Sequence, residues 1–186
     1  MRVFYNEKQN VTNNDSFSPS AGKPAKVLAA WQNLGLPIEV TSPKPCSRAE
    51  ISLAHDPVHV QKVLSCKRAN GFGNTSKEVA KSLPWTTGSF VSAALYAWKH
   101  KVPTVSLTSG FHHASWKVSS AFCTFNGLMI AAQALRLKGV KRIGILDCDE
   151  HYGNGTDSII EKLDLKKSVK HWTLGNQNIS AENAES

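Results

Sequence analysis

Hydrophobic positions in this chain recur with two periods, and the alternation between them outlines an α/β fold. Met1–Tyr5 reads as a short opening strand, followed by a polar loop over Asn6–Ser20. Pro24–Leu34 carries Val27, Leu28, Trp31 and Leu34 on one helical face, with proline in the first turn and Gly35 at the end. Asp56-Pro57 predicts a helix start, with aspartate as N-cap and Val60, Val63 and Leu64 on the apolar side. Gly71–Leu83 reads as a loop with a short amphipathic piece, and Thr86 or Thr87 as the cap of a helix reaching about Trp98.

Further along, Thr104–Thr108 predicts a strand, Phe125–Leu137 a helix closed by Gly139, and Arg142–Leu146 an apolar strand covered on both faces. Thr156–Leu163 and Val169–Leu174 complete the series as a helix and a strand, and Gly175–Ser186 lacks periodicity and predicts a flexible tail. Strands alternating with helices predict a mainly parallel sheet whose strand ends gather ligands. No internal repeat or linker divides the 186 residues, so one domain is expected over 1–186.

Composition narrows the class. At 41% hydrophobic and 19% charged residues, the chain has the make-up of a folded domain with a core. It contains no apolar run of membrane-spanning length, and MRVFYNEKQN lacks a secretory signal core, so no membrane partner and a cytoplasmic location are expected. Cys46, Cys66, Cys123 and Cys148 form no CxxC or zinc-finger spacing and are expected to be reduced. The net charge of +8 comes from scattered lysines and arginines with no accompanying nucleic-acid motif, so no specific nucleic-acid partner is expected.

The chemistry gathers at two strand ends. In ILDCDEHYGNGT an apolar run enters Asp147, Asp149 and His151 at alternate positions, which an extended chain turns to one side while Cys148 and Glu150 face away. Carboxylate oxygen with imidazole nitrogen suits Zn²⁺, Fe²⁺ or Mn²⁺ alike. The competing reading, that these acids cap the next helix, accounts for Thr156 or Asp157 but not for alternate acids leaving a buried strand. The second end is Ser109-Gly110-Phe111-His112-His113, expected at the close of the neighbouring strand, where a histidine beside a metal-bound water makes a natural general base.

Together, SGFHHASWKVSSAFCTFNGLMIAA and RIGILDCDEHYGNGTDSI resemble the histone deacetylase superfamily, which includes acetylpolyamine amidohydrolases and acetoin-utilisation proteins. AHDPVHVQKV and the segment before SLPWTTGSFVSAALYA add to the likeness. The resemblance implies a three-layer α-β-α domain and hydrolysis of an acetyl-lysine or acetylpolyamine amide. It makes Asp149 and His151 ligands of a zinc ion and His113 the general base, with Asn154 orienting His113. His112 is implied as an electrostatic companion backed by Asp147, and Phe122 as a wall of the acyl tunnel beside Ala121. It further implies a structural potassium ion at Asp147, with backbone carbonyls and Thr173.

Three departures accompany the likeness. Ala121 stands where the pattern has glycine, and Tyr152 replaces a second histidine. The family's third ligand, a downstream aspartate, and its oxyanion-stabilising tyrosine have no counterpart, since Asp157 and Asp164 lie too close in sequence to serve. The expectations are therefore weak metal binding, poor turnover and an uncovered sheet edge, which an oligomer or a completing chain could cover.

Overall fold

The computed structural model describes residues 1–176. The flexible tail expected from Gly175 onward lies outside the described residues after Asn176, and Leu174–Asn176 form a 3-10 turn. Strand β1 (Arg2–Phe4) lies between β2 (Glu39–Thr41) and β3 (Thr104–Ser106), with both pairings parallel. A second parallel ladder joins β4 (Ile143–Asp147) to β5 (Val169–Thr173). Parallel neighbours need long crossovers. Helix α1 (Lys23–Asn33) lies in the first crossover and α6 (Asn154–Lys162) in the β4–β5 crossover. The remaining helices are α2 (Arg48–Ile51), α3 (Pro57–Leu64), α4 (Lys77–His100) and α5 (Gly127–Leu137).

Local chemistry explains most boundaries. Asp56 caps α3 by accepting the backbone N–H groups of Val58 and His59, as its Asp-Pro start predicts. Asn126 caps α5 through the Met129 N–H. Ser47 and Glu50 form a capping box on α2, an element the periodicity does not reveal because it is one turn long. The edge strand β2, with Val40 exposed, is equally short of a pattern.

Helix α4 corrects the expected break at Thr86 or Thr87. It runs unbroken for 24 residues with Pro84 inside it. Thr86 and Thr87 are interior residues whose hydroxyls donate back to the carbonyls of Ser82 and Leu83 at 3.1 and 2.9 Å. An interior proline costs roughly 3 kcal/mol. Burial of Val79, Leu83, Val91 and Ala93 along the same helix offsets it.

Strand β4 is not covered on both faces as its apolar run suggests. Ile145 is buried, whereas Gly144 and Leu146 are exposed, because α5 and α6 cover only one side. Nor is β3 the hydrogen-bonded neighbour of β4: β3 pairs with β1, and the chain beyond Leu107 leaves as a loop. The main core packs Ile51, Val60, Val63, Phe125, Met129 and Ile130 against Ile145, Ile159 and Val169. A smaller cluster of Val3, Tyr5 and Leu107 lies under Leu28 and Trp31 of α1.

Candidate active site

The loop after β3 carries His112 and His113 to the end of β4, and the polar residues that follow β4 meet them there. His112 Nδ1 donates to Asp147 Oδ2 at 2.7 Å, and both side chains are about nine-tenths buried. His113 Nδ1 donates to Asn154 Oδ1 at 2.7 Å. An amide oxygen only accepts, so His113 carries a proton on Nδ1, and in the neutral ring the lone pair lies at Nε2. The two imidazoles lie 4.0 Å apart between ring centroids, and His113 lies 6.0 Å from His151.

Asp149 and His151 form the third element. Asp149 Oδ1 accepts both the backbone N–H of His151, at 2.9 Å, and its ring Nδ1–H, at 3.0 Å. That backbone N–H holds the Asp149 carboxyl below the usual carboxylate range against partial desolvation, with the His151 and His112 rings acting in the same direction. Both side chains are at least half exposed, and His112 Nε2 stands 3.9 Å from Asp149 Oδ1. The expected convergence of Asp147 with this pair does not occur. Its Oδ1 accepts the Asp149 backbone N–H while its Oδ2 faces His112.

Oxygen and nitrogen donors at Asp149 and His151 fit a divalent ion chemically. Among the described residues no group of three such side chains could hold a metal, so the fit covers two ligand positions. Asp147 and Thr173 offer hard oxygens suited to a monovalent ion and flank Gly153, whose N–H donates to Thr173 Oγ1 at 3.1 Å.

Buried polar residues to which the sequence pattern assigns no individual role fix the histidine loop. His55 Nδ1 donates to Ser115 O at 2.9 Å, and its Nε2 accepts the Asn126 N–H at 2.7 Å. Asn126 Nδ2 donates in turn to Ala114 O and Thr156 Oγ1. Thus the residues leading into α3 and α5, together with Thr156 of α6, hold the backbone from His112 to Ser115. Burial, assisted by the neighbouring His59, pushes His55 down to about 4. Burial and the Arg68 charge push His59 to about 4 as well. The segment AHDPVH contained this signal, though only packing assigns each histidine its partner.

Phe122 packs against Phe72 at 5.9 Å with the rings tilted by 46°, and meets the exposed Phe17 edge-on at 5.4 Å. Ala121 and Phe122 adopt positive φ of 45° and 65°. Ala121 therefore occupies backbone space that favours glycine, so its departure from the expected pattern has a steric consequence rather than a purely chemical one. Ser120 Oγ ties this turn to the His113 carbonyl at 3.1 Å. Tyr152, the other departure, donates its hydroxyl to Asp157 Oδ2 at 2.7 Å. Asp157 also receives His171 Nδ1 at 2.8 Å.

Parallel strands and helices thus bring two histidine dyads beside an acid–histidine pair at the end of β4. A family model of the histone deacetylase domain matches residues 20–171, and the chain belongs to that family. It is 42% identical over 67 residues to an acetylpolyamine amidohydrolase of Mycoplana ramosa, covering 36% of this chain and 20% of that one. It is 25% identical over 161 residues to a histone deacetylase-like amidohydrolase of Pseudomonas aeruginosa, covering 82% of this chain and 42% of the relative. A probable deacetylase of Methanothermobacter thermautotrophicus is 27% identical over 165 residues, 86% of this chain and 50% of its own. The chain thus spans half or less of the length of these relatives. The HD domain of HDA15 superposes with a TM-score of 0.77 at 21% identity, over 91% of this chain and 51% of that one, and confirms the fold. No described helix is long and apolar enough to cross a membrane.

Proposed function

We propose that this chain carries the general-base half of a zinc-dependent deacetylase-like amidohydrolase acting on an acetylated amine, either a lysine side chain or a polyamine. The observation that carries the reading is the adjacency of the two dyads, His112–Asp147 and His113–Asn154, to the Asp149–His151 pair. His113, its Nδ1–H committed to Asn154, would take a proton at Nε2 from an attacking water and return it to the leaving amine. His112, backed by the Asp147 carboxylate, would balance the charge beside it. Phe122 would line the acyl chain, with Ala121 setting its turn. Asp149 and His151 would hold the divalent ion, which when bound supplies Lewis-acid polarisation and a lowered water pKa. Asp147 and Thr173 would border the monovalent-ion position implied by the family.

Names of relatives support an acetylated amine as the substrate class. With two ligands supplied, weak zinc binding and little turnover are expected of this chain alone. Calorimetric zinc titration and acetyl-lysine and acetylpolyamine hydrolysis test the reading together. Weak zinc uptake abolished in His151→Ala and Asp149→Ala supports it. Uptake unaffected by either substitution overturns the ligand assignment. A strong hydrolytic rate removed by chelator and by His113→Ala overturns the half-site reading in favour of a complete enzyme.

A second reading is a non-catalytic module that binds an acyl group or a protein partner. Its supporting observation is the apolar surface at Leu146 and Trp172 on the open face of β4–β5.

A further inference from the structure

His171 lies outside every role assigned above, yet its side chain is only 1% exposed. Its Nδ1 is committed to Asp157 Oδ1 at 2.8 Å, and Asp157 is held from its other oxygen by the Tyr152 hydroxyl at 2.7 Å. Its Nε2 has no hydrogen-bond partner among the described residues. That atom stands 3.6 Å from Asp147 Oδ2, the oxygen that receives His112 Nδ1. Such a distance exceeds a direct hydrogen bond but leaves a close polar neighbour in a buried setting, where polar groups act strongly on one another.

Glycine at position 153 permits this approach. A Cβ there would come within 2.7 Å of both Asp147 Oδ2 and His171 Cε1. The backbone φ of Gly153 is −72°, so clearance rather than conformational freedom calls for the missing side chain.

We propose that His171 is a positioning residue for the Asp147–His112 pair: anchored by Asp157 and Tyr152, it presents Nε2 to Asp147 across the bare face of Gly153 and limits the carboxylate to the rotamer that meets His112. Tyr152 then acts as the outer anchor of this brace. The inference rests on reading Asp147–His112 as a functional pair, but its test reads geometry and needs no turnover.

The test uses the whole chain labelled with ¹⁵N-histidine. The readout is the downfield proton on His112 Nδ1, assigned by its disappearance in His112→Gln. Three variants separate the two ends of the His171 ring. Glutamine places an amide near the Nε2 position, asparagine near the Nδ1 position, and phenylalanine supplies only the ring shape. The expected result is a retained His112 signal in His171→Gln and its loss to exchange in His171→Asn and His171→Phe. A parent-like signal in all three, or loss in all three, overturns the proposal, the latter because packing alone would then explain the contact. If these variants do not fold, Tyr152→Phe decides. Broadening of the His112 signal supports the brace, and an unchanged signal overturns it.

Discussion

His55 Nε2 accepts the backbone N–H of Asn126 at 2.7 Å, joining the residue before the cap of α3 to the residue that caps α5. The bond requires an unprotonated Nε2, and Asn126 in turn holds Ala114 beside the histidine pair. Both His55 and the nearby His59 are pushed from the usual histidine value near 6.5 down to about 4, mainly by burial. A folded pKa below the unfolded one means that the unfolded chain binds more protons in between. Stability is therefore complete above about pH 6.5 and falls as pH drops toward 4, by as much as roughly 3 kcal/mol for the fully buried His55 and by less for His59, whose charge solvent screens in part. Denaturant melts at pH 7.5 and 5.0 should show a clear loss of midpoint at the lower pH. Equal midpoints would sink the assignment of these two as buried neutral histidines.

Gly155 sits in the first turn of α6 directly beneath the histidine loop. An added Cβ would lie 2.5 Å from the Ala114 oxygen and 2.5 Å from the His113 carbonyl carbon. Alanine normally gains about 0.5–1 kcal/mol over glycine in a helix, whereas overpacking costs about 1–3 kcal/mol. Here the contacts are backbone atoms that cannot swing away, so the clash wins. Gly155→Ala is expected to lower stability by about 1–2 kcal/mol and to shift the His113 ring resonances. A more stable variant with unchanged His113 signals would contradict this account.

Most element types, and the place of Asp147, Asp149 and His151 at the end of β4, are legible from periodicity and alternation, whereas the His112-His113 pair lies in the loop after β3 rather than at a neighbouring strand's end. The two dyads came from the family likeness and not from spacing, because the forty-odd residues between His113 and Asn154 leave no local trace of their contact. The expected cap at Thr86 or Thr87 falls inside α4, because packing around Leu83 and Val91 carries the helix through Pro84, where local propensity favours a break. His171 was invisible for a different reason. A lone histidine in VKHWT carries no pattern, and its meaning depends on Asp157 and Gly153 arriving from another element.

Ala121 offers a stability gain. An L-residue in the left-handed region costs about 1–2 kcal/mol, while glycine loses roughly 0.5–1 kcal/mol more backbone entropy on folding. Ala121 has φ of 45° and its side chain is exposed, so no packing opposes the exchange. Ala121→Gly should raise stability by up to about 1 kcal/mol in a denaturant melt. A loss of that size would show that the alanine methyl makes a contact outweighing its backbone strain.

Leu146 and Trp172 are cross-strand partners in the β4–β5 ladder, and they remain 69% and 53% exposed. The ring of Trp172 leans over Gly144, where an added Cβ would meet it at 3.2 Å, so the pair forms one continuous apolar surface. Burying such surface yields about 25 cal/mol per Å², which favours self-association as concentration rises. Replacing Leu146 with lysine and Trp172 with glutamate removes the apolar face but places opposite charges directly across the ladder, where they contribute a few tenths of a kcal/mol. Light scattering over a concentration series should therefore report association in the parent and a monomer in the double variant, with the thermal midpoint nearly unchanged. Association that persists in the double variant would move the contact away from this face, with the edge strand β2 as the next surface to substitute.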